Sequence, residues 1–503
     1  MSLSLNRILT DSVAKYPDNV VLVFGGRRTT YSQLNDWVDR FSSGLAALGV
    51  GRGDRVALLL GNSPEFIVSY YGILRLGAVV VPMNPTYATE EIAYVLGNSK
   101  AKAAVAHAMA EPKLSPLRGR LPELKNVIYT GDNEATLTFK SLLQTSPTGH
   151  TSISVGEDEM AVILYTSGTT GKPKGTMLSH RNLASNAQSV SEAFEVSSAD
   201  RMVVVLPLFH IFSMTVCLNA FIGKGATLLL IPKFNPEEVV KTIREEKATF
   251  FAGVPTMYNY ILQLPQATAE DFATVKVCSS GGAPLPVEML QKFEERFQVT
   301  IYEGYGLSEA APVTLFNQLG RKRKPGSVGT DFPNVINKIV DTEGSEVPRG
   351  ELGELVVQGP NVMMGYLDMP EATSMTLKDG WLYTGDLARM DEEGYVFIVD
   401  RIKDMILVGG YNIYPREIEE VLYQHPDILE AAVVGISDPV YGEAVKAVVV
   451  PRAEGLTMES ILEFCKDKLA KYKWPRQVEF RTELPKNSSG KTLRKSLKGG
   501  TSN

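Results

Sequence analysis

The sequence predicts an α/β protein: a large N-terminal domain of layered α/β sheets with a small β-barrel-like part, then a small α+β C-terminal domain. Three observations predict it. Over the first 150 residues short apolar runs alternate with amphipathic ones, the pattern of strand–helix–strand units in a parallel sheet. Past residue 320 the pattern shortens into turn-rich, antiparallel-looking strands, and after "DRIKD" (400–404) comes a compact α+β segment. Finally, 503 residues exceed what one core usually covers, so two domains are expected, residues 1–402 and 403–503.

The elements follow in order. "RVALLL" (55–60) reads as a buried strand, "SPEFIVSYYGILRLG" (63–77) as a helix and "AVVVPMNP" (78–85) as the next strand. "EEIAYVLGNS" with "KAAVAH", and later "EEVVKTIREEK" with "ATFFAGVP", repeat the unit. "MVVVLPLFHIFSMTVCLNAFI" (202–222) has membrane-like length and no charge, but Pro207, His210 and Asn219 interrupt it. It reads as buried core lining a site, with a membrane span as the second choice. "GELGELVVQGP" and "GWLYTGDLARMDEEGYVFIVD" supply the antiparallel strands.

Composition narrows the function. A net charge of −6 gives no global basic field for nucleic acid. Cys217, Cys278 and Cys465 lie far apart and read as buried thiols of a reducing compartment. The five histidines are scattered, which argues against a protein-built zinc site. The opening "MSLSLNRILTDSV" lacks a signal-peptide h-region, so a cytoplasmic location is expected. Residues 471–498 hold nine Lys and Arg against Glu479 and Glu483; a solvated charge run is the ordinary reading, an anionic ligand or lipid headgroup the other.

"YTSGTTGKPKG" (165–175) runs straight on from the apolar "AVIL", and strand ends in α/β sheets commonly place ligands. Its glycines, hydroxyls and lysines suit a polyphosphate, although a flexible loop has the same composition. It is not a P-loop: Thr166 stands where the first glycine belongs and Pro173 where Ser or Thr belongs. "SSGKT" fails as well, at Pro485.

Seven blocks taken together resemble the adenylate-forming superfamily of acyl-CoA synthetases, peptide-synthetase adenylation domains and beetle luciferases, most of all bacterial fatty-acid CoA ligases. They are "LYTSGTTGKPKG" at 164, "LPLFH" at 206, "SGGAPLP" at 280, "YEGYGLSEA" at 302, "GWLYTGD" at 380, "DRIKDMILVGGYNIYPREIE" at 400 and "PKNSSGKTLRK" at 485. The resemblance implies ATP, Mg²⁺ and coenzyme A as reactants and cofactors, and a carboxylic acid carried through acyl-AMP to a thioester. It implies that Thr166, Ser167, Gly168, Thr169, Thr170, Gly171 and Lys174 hold the β- and γ-phosphates. Gly282, Ala283 and Pro284 would flank the adenine, with Tyr305 stacked on it beside Gly306. Ser308, where many relatives carry Thr, would serve the α-phosphate or the carboxylate, and Glu309 would bind Mg²⁺. Asp386 and Arg401 would take the ribose, and Lys491 would carry the first step.

The same resemblance makes Lys403 a hinge about which Lys491 leaves the site while Gly409 and Gly410 swing in to line a pantetheine tunnel. It places His210 at the junction of acyl pocket and tunnel, whereas a lone histidine in an apolar run is ordinarily a core residue. Amino-acid adenylating relatives carry Phe-Asp there; Phe209-His210 lacks that counter-ion. The expected acyl wall, with Phe212, Met214, Val216, Val254 and Met257, contains no Lys or Arg, which favours an apolar monocarboxylate. An aryl or cinnamic-type acid, and an acyl-AMP ligase without CoA transfer, are the alternative readings. "RKRK" (321–324) reads as a solvated loop, with weak contact to acidic lipid second.

Overall fold

The computed structural model describes residues 3–131, 137–148, 153–166, 173–487 and 490–498. Two sheets carry the N-terminal part. In the first, Val79–Pro82, Arg55–Leu59, Ala103–His107 and Asn126–Thr130 run parallel, and Met160–Thr166 extends the parallel set beyond Val79–Pro82. Val56, Ala57 and Leu58 are buried on both faces, as parallel strands covered by helices require. The helix between the first two strands is Pro64–Arg75; Pro64 opens it and the Ser63 hydroxyl accepts from Phe66 N, so its start is written locally.

In the second sheet six neighbouring strands are parallel: Ile301–Gly306, Val277–Ser280, Phe250–Gly253, Arg201–Val204, Thr227–Leu230 and Val20–Phe24. The long uncharged stretch resolves into the strand Arg201–Val204, a π-helical turn Ser213–Asn219 and the short helix Ala220–Ile222. Its core is apolar because it packs inside the protein; among the described residues no helix is long and apolar enough to cross a membrane.

The barrel-like part is a five-stranded antiparallel sheet of Ile336–Val340, Gly353–Gln358, Leu377–Lys378, Trp381–Met390 and Val396–Arg401. Beyond it Ile428–Asp438 and Gly442–Pro451 pair along their whole lengths, joined by Ile406–Val408, Tyr411–Ile413 and Gln477–Phe480. Helices Pro415–Tyr423 and Met458–Lys466 cover this sheet, and Ile418, Leu422, Val433, Val445, Val449, Ile461 and Cys465 form a core separate from the others.

Two features go beyond the sequence reading. Met160–Thr166 pairs antiparallel with Lys174–Ser179 as a hairpin, Thr166 opposite Lys174. Five of the nine cations of the basic tail are paired within the fold: Lys473 with Glu417, Arg476 with Asp438, Arg481 with Glu479, Lys486 with Glu430 and Arg494 with Glu419. In the 321–324 loop, Arg323 pairs with Glu294 and Lys324 with Asp391 and Glu393. All three cysteines are free and buried.

Candidate active site

The C-terminal ends of Val277–Ser280 and Ile301–Gly306 open into a cavity of about 1000 Å³, closed on its other sides by the hairpin, the antiparallel sheet and the C-terminal segment. It gathers Thr166, Lys174, His210, Gly282, Tyr305, Gly306, Ser308, Glu309, Arg401, Lys403 and Lys491. Residues 167–171 lie outside the described residues, so only the ends of that stretch, Thr166 and Lys174, are placed. Ala283 and Pro284 follow Gly282 but are not part of the cavity wall.

Asp386 lies buried behind the wall. Its two oxygens are held separately: Tyr305 OH donates to Oδ2, and Arg401 Nε lies 3.1 Å from Oδ1. Adjacent antiparallel strands set Asp386 directly opposite Arg401, which fixes this pair by register. Burial and then the Asp386 charge raise the Tyr305 phenol far above its ordinary range, so it remains a donor. Gly306 closes the strand where a Cβ would collide with the Pro312 carbonyl, so no larger residue fits.

Glu309 sits in a single helical turn, Ser308–Ala310, and Tyr366 OH donates to its Oε1 at 2.9 Å. The Tyr366 ring in turn lies 4.7 Å below Lys174 Nζ, so hairpin and carboxylate meet through one aromatic side chain. Among the described residues no three His, Cys, Asp or Glu form a metal cluster. A lone carboxylate of this kind suits Mg²⁺ that keeps waters and arrives on phosphate oxygens, and does not suit a metal held by protein alone.

Lys491 enters from the last hairpin of the chain. Its N–H donates to Asn487 Oδ1 and its carbonyl accepts from Asn487 N, both at 2.9 Å. The ammonium opens onto the cavity, yet protein surrounds it on the remaining sides. That burial, reinforced by Arg401 and opposed by Asp386, brings its pKa down to about 8. His210 is half-buried; its Nδ1 accepts from Phe212 N at 3.3 Å, and burial followed by Lys491 brings its pKa down to about 4. Lys403 stands exposed at the mouth, its pKa lowered by partial burial and by Arg401.

Gly409 and Gly410 are not brought to this site. They form the exposed tip of the Ile406–Val408 and Tyr411–Ile413 hairpin with φ of 56° and 89°. Of the expected acyl wall, Phe212, Val216 and Val254 line the cavity together with Val190, Phe194 and Phe316. Met214 and Met257 are buried but face core instead of cavity. The cations of the wall are Lys174, Lys378, Arg401, Lys403, Lys486 and Lys491; none comes from the apolar stretches between 190 and 316.

Sequence reading missed Tyr366 in the cavity wall and Glu303 buried behind it. Tyr366 carries no motif and becomes visible only when strand Gly365–Tyr366 pairs with the hairpin. Glu303 stands inside the quoted "YEGYGLSEA" block, and a carboxylate in a central strand was the available signal. It is 3% exposed, its Oε1 accepts from Leu285 N at 3.2 Å, and burial raises its pKa to about 7.

Residues 9–367 match the family of AMP-binding enzymes and residues 417–491 the AMP-binding enzyme C-terminal domain. The chain is 39% identical to a long-chain-fatty-acid–CoA ligase of Bacillus subtilis over 98% of this chain and 94% of that one. It is 37% identical to a feruloyl-CoA synthase of Amycolatopsis over 95% of each. It superposes on the crystal structure of ATP-bound MatB from Rhodopseudomonas palustris with a TM-score of 0.93 at 32% identity, covering 99% of this chain and 98% of that one. On the apo form of MatB, at the same identity and coverage, the TM-score is 0.82. The chain belongs to the AMP-binding enzymes, the adenylate-forming superfamily, and within it to the acyl-CoA synthetases.

Proposed function

We propose that the enzyme joins an apolar monocarboxylic acid, a fatty acid by preference, to coenzyme A in two steps. A carboxylate is a poor acyl donor because its leaving group would be oxide. Its oxygen therefore attacks the α-phosphorus of ATP, the bond to the β-phosphate breaks, and acyl-AMP and pyrophosphate form. The CoA sulfur then attacks the acyl carbon, the thiol proton is lost, and AMP leaves.

The residues divide this work. Thr166, Lys174 and the stretch between them hold the β- and γ-phosphates, and Glu309 holds Mg²⁺, which supplies charge neutralisation on the phosphates. Asp386, its geometry fixed by Tyr305 and Arg401, accepts from the ribose hydroxyls. Gly282 and Tyr305 receive the adenine, and Ser308 donates to the carboxylate or α-phosphate. Lys491 places its ammonium between carboxylate and α-phosphate as charge develops there. With Lys491 inside and Gly409–Gly410 outside, this is the posture for the first step. Rotation of the segment from 403 onward about Lys403 exchanges the two for the second step, with His210 at the meeting point of acyl group and thiol.

One observation carries the substrate class. Val190, Phe194, Phe212, Val216 and Phe316 give the cavity that Lys491 enters an apolar wall, which offers no cation to a second carboxylate. The test is parallel assay of pyrophosphate and thioester over acetate to palmitate, malonate, benzoate and ferulate. Both products with medium or long fatty acids are expected. A maximum with benzoate or ferulate would make it an aryl-acid ligase, and pyrophosphate without thioester would make it an acyl-AMP ligase.

A further inference from the structure

Arg494, three residues beyond Lys491, is held by carboxylates from both sides of Lys403. Its Nη2 lies 2.7 and 2.6 Å from the two oxygens of Glu419, on the C-terminal helix Pro415–Tyr423. Its Nη1 lies 3.2 Å from Oδ1 of Asp400, the residue before Arg401. Asp400 is buried, and its other oxygen accepts from Arg416 N at 3.0 Å, in the first turn of that same helix. Arg416 Nη1 also donates to the Ile398 carbonyl at 2.6 Å.

These contacts differ in what a rotation does to them. Glu419 and Arg494 both lie after Lys403 and travel together. Asp400 lies before it, so its bonds to Arg494 and Arg416 N join the two parts only in the present posture. Arg494 also closes the stem of the Lys491 hairpin, where Leu493 N donates to the Pro485 carbonyl at 2.8 Å. The opposite stem residue, Lys486, pairs with Glu430, which again travels with it. Among the described residues, the ion pair that grips the hairpin across Lys403 is Arg494 with Asp400, beside a looser contact of Lys486 Nζ 5.5 Å over the Tyr260 ring.

We propose that Asp400 is a positioning residue that latches the Lys491 hairpin, through Arg494, in the posture for adenylation and releases it for thioester formation. This rests on the two-step reading above. A charge-assisted, buried bond of this kind biases a two-state equilibrium by about tenfold or more. Asp400 touches no reacting atom, so its loss is felt as a changed balance between half-reactions.

The test uses D400N and D400E in the full chain, with a dye pair on cysteines placed at Lys292 and Lys466, whose side chains are both more than half exposed. In D400N, pyrophosphate formation is expected to fall about tenfold while thioester formation from supplied acyl-AMP stays within about twofold. The energy transfer of the substrate-free protein is expected to shift, with D400E in between. Equal loss of both half-reactions, unchanged energy transfer, or loss of the cooperative melt in both variants would overturn the latch. If the unsubstituted enzyme makes no adenylate from any acid, the proposed function falls, and the energy-transfer comparison still decides the latch.

Discussion

Lys491 and His210 reach one cavity from opposite parts of the chain, and the ammonium helps burial hold the imidazole near pKa 4 while its own falls to about 8. The proposed first step uses the charged ammonium. Because the pKa is lowered, the proton leaves as pH rises through about 8, inside the usual assay range. The kcat/KM for pyrophosphate formation, which reports the free enzyme, is expected to decline above that pH with a single ionisation. K491R should remove the alkaline decline while lowering the rate; a flat profile from neutrality to about pH 10 in the unsubstituted enzyme would contradict the assignment. His210 stays neutral through this range, so H210Q should leave the alkaline decline in place.

Asp386 offers two acceptor oxygens already oriented by Tyr305 and Arg401. Replacing it with Asn keeps the shape and removes the charge from the proposed ribose site. Hydrogen bonds to a charged group contribute about 1.5–3 kcal/mol, so the KM for ATP in D386N is expected to rise roughly 10- to 100-fold. Steady-state kinetics with varied ATP would show it, and an unchanged KM would remove Asp386 from the nucleotide site.

Proline at 403 fixes φ at the proposed pivot. K403P is expected to keep adenylate formation within several-fold and to lose thioester formation by about a hundredfold or more, as a gating step requires. Separate assays of the two half-reactions decide this, and equal losses would count against a hinge there.

Val216 is 1% exposed and forms part of the apolar wall. V216F fills space along that wall at an overpacking cost of about 1–3 kcal/mol. Activity on the longest accepted acids should fall while short acids keep theirs. Uniform loss across the panel would place Val216 outside the acyl site.

The sequence carried the parallel layers because apolar runs such as 55–60 and the Ser63–Pro64 helix start are local signals. It also carried most of the motif residues that the structure brings to the cavity, since each lies in a contiguous block. What it lacked were relations between distant blocks. Tyr366 joins Glu309 only through pairing of Gly365–Tyr366 with the hairpin, and Asp400 meets Arg494 across 94 positions. The antiparallel return at Thr166 and Lys174 was missed because glycine and hydroxyl composition after a strand is the same for a hairpin and for a strand-to-helix turn. Met214 and Met257 were misplaced for a related reason: apolar character marks a buried side chain without saying whether it faces cavity or core.

The separate C-terminal core has a thermal consequence. That core is small, and small units bury a lesser fraction of their surface, so it contributes less stability per residue than the N-terminal layers. Polar contacts connect the two, such as Asn259 Nδ2 to the Leu429 carbonyl at 3.3 Å and Arg416 to the Ile398 carbonyl. Heating the free protein should therefore give two calorimetric transitions, the C-terminal one first. A ligand that touches both walls of the cavity binds only when both are folded, and mass action then draws the lower transition up toward the higher. Substrate would in this way turn two melting units into one.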